Sequence, residues 1–447
     1  MKYKLEKPNL ANINRAQTIK AILGDRKTEI WDFFKKIGSE HLYWDELRYK
    51  EPSPKGISKE QLWMIVKLLR ESQAIETVIR DNEGNAFTWI KLDYFEEFFH
   101  ELDMNTGGEL FVEKDKIDKT NKQKLISRGI MEEAIASSQL EGAATSRLEA
   151  KKILREGRKP TNKSEQMIVN NYNSMKAIED DYRKKPMSMD LLLELHAMTT
   201  KNTLDSAGET PRMRKAGEPI FVNDDIQGII YHEAPDIEFV KPELEKLIKF
   251  ANDENGGNGF IHPVIKAIML HFWLGYLHPF TDGNGRLARL LFYWYLVNKG
   301  YWAFIYLPIS KIIKKAHKQY IMAYVYSEQD DNDLTYFIDY NLKRIKLAVK
   351  EFEKYLEEQA GKNVQMKKKS EVQYALNVRQ VQLLQYLHNA QDEYTTLKTH
   401  MSINQVTRMT ASKDLNDLVN KSFLASNKQG RNIFYYGTDK IKQLFAS

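Results

Sequence analysis

The chain has 447 residues, 42% of them hydrophobic and 29% charged, a globular composition that excludes disorder over most of the length and suggests about three domains. It contains no cysteine, which excludes disulfides, zinc–thiolate and iron–sulfur centres and cysteine nucleophiles. The net charge is +6, and from Gln365 to the end 12 basic residues stand against 6 acidic ones, so the whole excess lies there; nucleic acid is a candidate partner for that piece alone.

In chain order, the start MKYKLEKPNL carries charges and no apolar run, so no secretory leader is expected. Residues 1–120 read as an aromatic-rich helical region, with 30–34 and 94–99 as packing segments. A polar stretch over 105–124 separates it from a helical centre, 121–350. There, apolar residues recur at three- and four-residue spacing in 168–178, 191–198, 244–250 and 265–277, as they do earlier in 61–69, which predicts helices. Ser146 with Glu149 forms a capping-box pattern. Ser188, Ser310 and Asp333 each precede an apolar run, and Pro242 is placed in a first helical turn. The uncharged stretch 267–281 contains two histidines and falls short of the ~18–20 residues a bilayer span needs, so a soluble, cytoplasmic protein without a membrane partner is expected.

Two hairpins are predicted, at 219–232 around NDDIQG and at 423–438 turning at Gln429-Gly430-Arg431-Asn432. Residues 351–370 read as a linker. Residues 371–447 read as helix, helix, longer helix and hairpin, which resembles a winged helix-turn-helix. In that reading Arg408 and Lys413 on the third helix and Lys428 and Arg431 on the wing face DNA, the alternative being a protein-docking module. The fold class is mainly α.

The string that carries chemistry is HPFTDGNGRLAR, residues 278–289, between two apolar helical patterns. Pro279, Asp282 and Gly283 predict a tight loop, with Gly283, Asn284 and Gly285 at the start of the second helix. Glycines admit a close ligand, and the unpaired first N–H groups of a helix form an anion cradle suited to phosphates. Arg286 and Arg289, three apart, share a helix face and can reach one anion. Asp282 offers one hard carboxylate, which is how Mg²⁺ is usually held together with substrate phosphates. His278 is the loop's only base near neutral pH. These parts suit attack of a protein hydroxyl on a nucleotide phosphate.

This string resembles the complete signature of the Fic family, H-x-F-x-[DE]-G-N-G-R-x-x-R. The resemblance implies AMP transfer from ATP to a hydroxyl of a target protein, with pyrophosphate released. It implies that His278 deprotonates the hydroxyl, that Phe280 packs the loop into the core, and that Asp282 holds Mg²⁺ (or Mn²⁺). Gly283, Asn284, Gly285 and Arg286 would bind the α- and β-phosphates and Arg289 the γ-phosphate. A phosphate-transferring branch has Lys at the position of Gly285 and is disfavoured. LHAMTTKNT at 195–203, Arg212 and Arg214 are similar to the rest of a Fic core. The first hairpin resembles the flap that docks the target by strand pairing, here Ile220, Phe221, Val222, Ile229, Ile230 and Tyr231. Tyr320 is similar in position to a nucleobase-contacting tyrosine, with a plain core residue as the equal alternative.

Upstream, SSQLEG at 137–142 resembles the Fic inhibitory motif, [ST]-x-x-x-E-[GN], on a helix over about 125–142. Gly142 would end that helix, and Glu141 would project toward Arg289, where the γ-phosphate must arrive. Ser137, Glu141 and Gly142 are therefore the expected brake. Two alternatives stand beside an autoinhibited AMP transferase: a hydrolase that removes AMP from a modified protein, and a DNA-binding regulator whose Fic core senses nucleotide. The target, which could be the chain itself, is open, as is the oligomeric state, a homodimer included.

Overall fold

The computed structural model describes residues 1–23, 32, 40–50, 56–106, 119–204, 212–224, 227–254, 259–389, 394–429 and 432–445. The segment 30–34 read as packing lies outside them apart from Asp32, and so do Gly430 and Arg431 of the predicted wing.

The architecture is mainly helical. At its centre are two consecutive helices, Pro263–Leu277 and Asn284–Asn298, almost wholly buried. They are apolar on every side because other helices surround them, as a buried core helix requires. Lys119–Leu140, Lys163–Ala177, Met189–Thr200, Ile237–Ala251, Ile309–Lys315 and the start of Thr335–Tyr374 pack around them in one continuous hydrophobic cluster. At Gly129 the first of these comes so close to the chain at Ile305 that an added Cβ would lie 2.3 Å from its carbonyl oxygen.

Local rules account for many boundaries. Ser58 and Gln61 form a reciprocal capping box at the start of Lys59–Gln73. Ser146 and Ser188 cap Arg147–Glu156 and Met189–Thr200. Asp333 Oδ1 accepts from the Thr335 N–H at 3.0 Å. Two readings are corrected. Pro242 lies inside Ile237–Ala251 and not in its first turn, because Asp236 starts the helix earlier by accepting from the Glu238 N–H at 2.8 Å. Ser310 lies within Ile309–Lys315, after Pro308, and its hydroxyl and N–H donate to the buried Glu133.

The N-terminal region forms a second cluster, in which Tyr43, Trp44, Leu62 and Trp63 pack on Val325 and Tyr336. It contains a hairpin, Ile75–Arg80 with Ala86–Trp89, that the sequence reading passed over. The stretch read as a linker is helical throughout, since Thr335–Tyr374 is one helix. It holds no proline, its Lys, Glu, Gln and Ala residues favour helix, and Phe352, Tyr355 and Leu356 at its start pack on the core. Beyond it a third cluster unites Val378–Asn389, Arg408–Asn420 and Asp439–Phe445 with a three-stranded sheet. Asn432–Gly437 is the sheet's middle strand, antiparallel to both Tyr394–Thr396 and Leu424–Gln429. Among the described residues no helix is long and apolar enough to cross a membrane.

Candidate active site

Residues 278–284 join the two central helices. His278 ends the first in the left-handed region, φ 43° and ψ 60°. Its Nδ1 hydrogen-bonds the Gly275 carbonyl. A carbonyl only accepts, so Nδ1 carries the proton and Nε2 of a neutral ring keeps its lone pair. Burial, then the neighbouring His232, lower the His278 pKa to about 4. The ring is therefore neutral near pH 7, as a general base must be.

The loop is held from several directions. Phe280 is fully buried, and its ring stacks on His196 at 3.7 Å between centroids. His196 Nε2 donates to the Asp282 carbonyl at 2.8 Å. The Arg214 guanidinium donates to the His278 carbonyl at 2.8 Å and to the Leu277 carbonyl at 3.3 Å. The Asn284 amide closes the loop on itself, donating to the Phe280 carbonyl at 2.8 Å and accepting from the Phe280 N–H at 3.0 Å. Arg286 has 0% exposure and donates to the Thr199 carbonyl at 2.8 Å and to Asp282 Oδ1 at 3.2 Å. Asn284 thus binds within the loop, and Arg286 ties the loop to the end of Met189–Thr200 while its Nε has no partner among the described residues. His196, Thr199 and Arg214, which the resemblance placed in the core without a role, are supports of the loop.

Gly283, at φ 84°, starts the second helix with no side-chain cap, so the first N–H groups there remain available to an anion. At Gly283 a Cβ would meet the Thr200 methyl at 2.5 Å, and at Gly285 it would lie 2.3 Å from Glu141 Oε1. A carboxylate thus faces the phosphate cradle. Glu141 is placed by the end of Lys119–Leu140. Gly142, at φ 89°, closes that helix with the Ala143 N–H on the Ser138 carbonyl at 3.0 Å and its own N–H on the Gln139 carbonyl at 3.3 Å, a Schellman ending. Glu141 Oε1 accepts from Arg289 Nη2 at 3.0 Å, and Arg289 Nε donates to Ser137 Oγ at 2.8 Å. Arg289 is buried. Burial raises the Glu141 pKa, but Arg289, then Arg286 and His278, outweigh it and hold the carboxyl below its usual range. Ser137, Glu141, Gly142 and Arg289 are therefore brought together as the sequence pattern anticipates.

Among the described residues no group of three His, Asp or Glu side chains could hold a metal by itself. Asp282 alone stands at the mouth, its side chain 40% exposed. That fits a cation held through one carboxylate and the phosphates of a nucleotide.

Tyr320 packs in the core and its hydroxyl also interacts with Arg289. It is only 9% exposed, its hydroxyl is bonded to His271 Nε2 at 2.9 Å, and it packs edge-on to Tyr324. It belongs to His317–Gln329, one helix later than Ser310. The predicted hairpin consists of Phe221–Asp224 and Ile229–Glu233, with a register shift between Val222 and Asn223. Ile220 lies just outside the strand and accepts from the Ala234 N–H at 3.0 Å. Phe221 is 41% exposed, while Val222, Ile229, Ile230 and Tyr231 are half-buried. The outer edge of the second strand is taken by the chain itself: the Tyr3 N–H donates to the Ile230 carbonyl at 2.8 Å, and the Ile230 N–H to the Met1 carbonyl at 2.9 Å.

Parts of the chain are similar to known proteins. Residues 186–296 match the model of the Fic/DOC family. A protein adenylyltransferase Fic of Nematostella vectensis is 31% identical over 121 residues, 27% of this chain and 25% of that protein. One of Culex quinquefasciatus is 41% identical over 93 residues, 21% of this chain and 18% of that protein. The chain thus spans a quarter or less of the length of these curated relatives. A crystal structure of a Fic family protein from Desulfovibrio desulfuricans G20 aligns with a TM-score of 0.48 and 17% identity, over 77% of this chain and 96% of that one.

Proposed function

We propose that this chain, which carries a Fic domain over residues 186–296, transfers AMP from ATP to a hydroxyl side chain of a protein and is restrained by its own Glu141. The observation that carries the reading is the Glu141 carboxylate, set against Gly285 at an uncapped helix start and paired with Arg289. A negative group held there by a buried arginine marks the place where a triphosphate would bind.

In the reaction, His278 Nε2 accepts the proton of the target hydroxyl. The hydroxyl oxygen bonds to the α-phosphorus of ATP, and the bond from that phosphorus to the oxygen bridging to the β-phosphate breaks. Pyrophosphate leaves with the electron pair. The N–H groups at the start of Asn284–Asn298 would stabilise the equatorial oxygens, and Arg289, once free of Glu141, would meet the γ-phosphate. Asp282 would hold Mg²⁺ or Mn²⁺, which supplies charge neutralisation on the phosphates. Arg286, His196 and Arg214 keep the loop in shape. The hairpin would present the target by main-chain pairing. Since residues 1–3 line the outer edge of its second strand, the N-terminal segment competes for that edge or is itself presented there.

The test is intact mass after incubation with ATP and Mg²⁺ of the wild type, Glu141→Gly and the double variant Glu141→Gly/His278→Ala. An AMP adduct on the single variant, missing from the double one, supports transfer, base and brake together. Adducts of equal size on both variants would overturn the base assignment.

A second reading concerns residues 371–447. The order of helix, strand, two helices and two strands supports a winged helix, and Arg408, Lys413 and Lys428 are exposed. That favours a DNA contact. A salt-dependent shift of the full chain on duplex DNA would support it, and no binding at low salt would remove it.

A further inference from the structure

His232 lies in the second strand of the hairpin and is buried. Its two ring nitrogens reach acceptors on two different elements. Nε2 meets the Tyr276 carbonyl at 2.8 Å, and Nδ1 meets Glu328 Oε2 at 2.8 Å. Tyr276 is two residues before His278, and Glu328 belongs to His317–Gln329. Facing a carbonyl and a carboxylate, both nitrogens donate, so the ring carries a full positive charge. The other carboxylate oxygen, Glu328 Oε1, is buried and has no hydrogen-bond partner among the described residues, so among them His232 is its ion-pair partner. The His232 and His278 rings lie 5.7 Å apart, and His278 in turn leans on the Gly275 carbonyl, one residue from the carbonyl that His232 uses.

We propose that His232 is a positioning residue for the transfer: it locks the hairpin onto the catalytic loop and sets a fixed positive charge beside His278, with Glu328 as its counter-charge. The inference rests on the proposed transfer only for its activity readout. Burial lowers the His232 pKa, but Glu328 and the Tyr276 carbonyl together outweigh burial and the more distant Lys2 and leave it raised. The groups around His278 are His232, Glu141 and Arg214. A group with a raised folded pKa stabilises its contacts below its unfolded pKa and loses them as pH rises through the folded one. The lock therefore loosens as pH rises through the folded pKa of His232. Removing the charge of His232 also takes away one of the causes that keep His278 from protonating.

The experiment uses the full chain with His232→Gln and, separately, Glu328→Gln. In histidine-labelled protein the His278 ring titration should move up by about 1 pH unit in both variants. Amide exchange in Ile229–Glu233 should speed up. In the Glu141→Gly background the acid limb of AMP transfer should rise with the ring titration, while affinity for ATP stays unchanged. An unmoved His278 midpoint together with unchanged exchange overturns the proposal. If His232→Gln fails to fold, Glu328→Gln decides the matter with the same measurements. If the Glu141→Gly parent transfers nothing, the transfer reading falls, and ring titration and exchange still judge the lock.

Discussion

Replacing Glu141 by glycine removes one carboxylate from a buried arginine and from the start of a helix, and the two effects can be separated. Arg289 Nη2 lies 3.0 Å from Glu141 Oε1, which puts the charge centres about 4 Å apart; at an effective dielectric of ~20 the pair interacts by roughly 4 kcal/mol. If about half is consumed by desolvation and side-chain entropy, roughly 2 kcal/mol opposes a γ-phosphate that needs the same arginine. ATP affinity should then rise about 10- to 30-fold in Glu141→Gly. AMP, with no β- or γ-phosphate, should gain much less. Calorimetric titration with both nucleotides, on the wild type, Glu141→Gly and the near-isosteric Glu141→Gln, measures this directly. Glu141→Gln should recover most of the ATP gain if charge is the obstacle and little if bulk against Gly285 is. The same change leaves the buried Arg289 without its carboxylate partner, held by Ser137 and Tyr320, so the nucleotide-free variant should melt lower and regain its stability with ATP. Equal ATP affinities in wild type and Glu141→Gly, or equal gains for ATP and AMP, would refute the reasoning.

His278→Ala in the Glu141→Gly background should abolish AMP transfer while leaving the ATP dissociation constant within about twofold, read by intact mass and calorimetry. Arg289→Ala should weaken ATP more than AMP, and equal losses would show that it does not meet the γ-phosphate. Gly285→Ala in the Glu141→Gly background should lose ATP affinity, because its Cβ would enter the space that a phosphate requires; unchanged affinity would move the cradle elsewhere. Transfer by Glu141→Gly should stay level from pH 8 down to about 6, since the His278 pKa of about 4 in the wild type falls further once the Glu141 charge that raises it is gone. A loss of rate with its midpoint near 6.5 would mean that the ring titrates as an exposed histidine does.

What was legible in the sequence follows from distance along the chain. Ser146, Ser188 and Gly142 act within a few residues of themselves, and the caps and helix stop read from them are present. The geometry of the loop at 278–289 was equally legible, because a histidine, a carboxylate, an uncapped helix start and two arginines fall within one turn and its flanks. The supports of that loop were not. Thr199 is 87 positions from Arg286 and Ser137 is 152 from Arg289, and no periodicity links such pairs. Local reading also misplaced one cap. Ser310 can cap a helix, and the buried Glu133 outbids the cap. Tyr320 keeps both of its readings, since its hydroxyl meets His271 within the core and also interacts with Arg289.

Gly285 joins the two halves of the argument. A glycine at a helix start has two sequence-level explanations, backbone freedom and close approach, and only Gly283 of the pair adopts a positive φ. Gly285 is therefore explained by approach, and what approaches it is the Glu141 carboxylate, which would stand 2.3 Å from any Cβ. Under the proposed function, the space required by a phosphate and the space filled by Glu141 would be the same space. Restraint by Glu141 and binding of a triphosphate would then be mutually exclusive at this site, and productive nucleotide binding would require the end of the Lys119–Leu140 helix to give way.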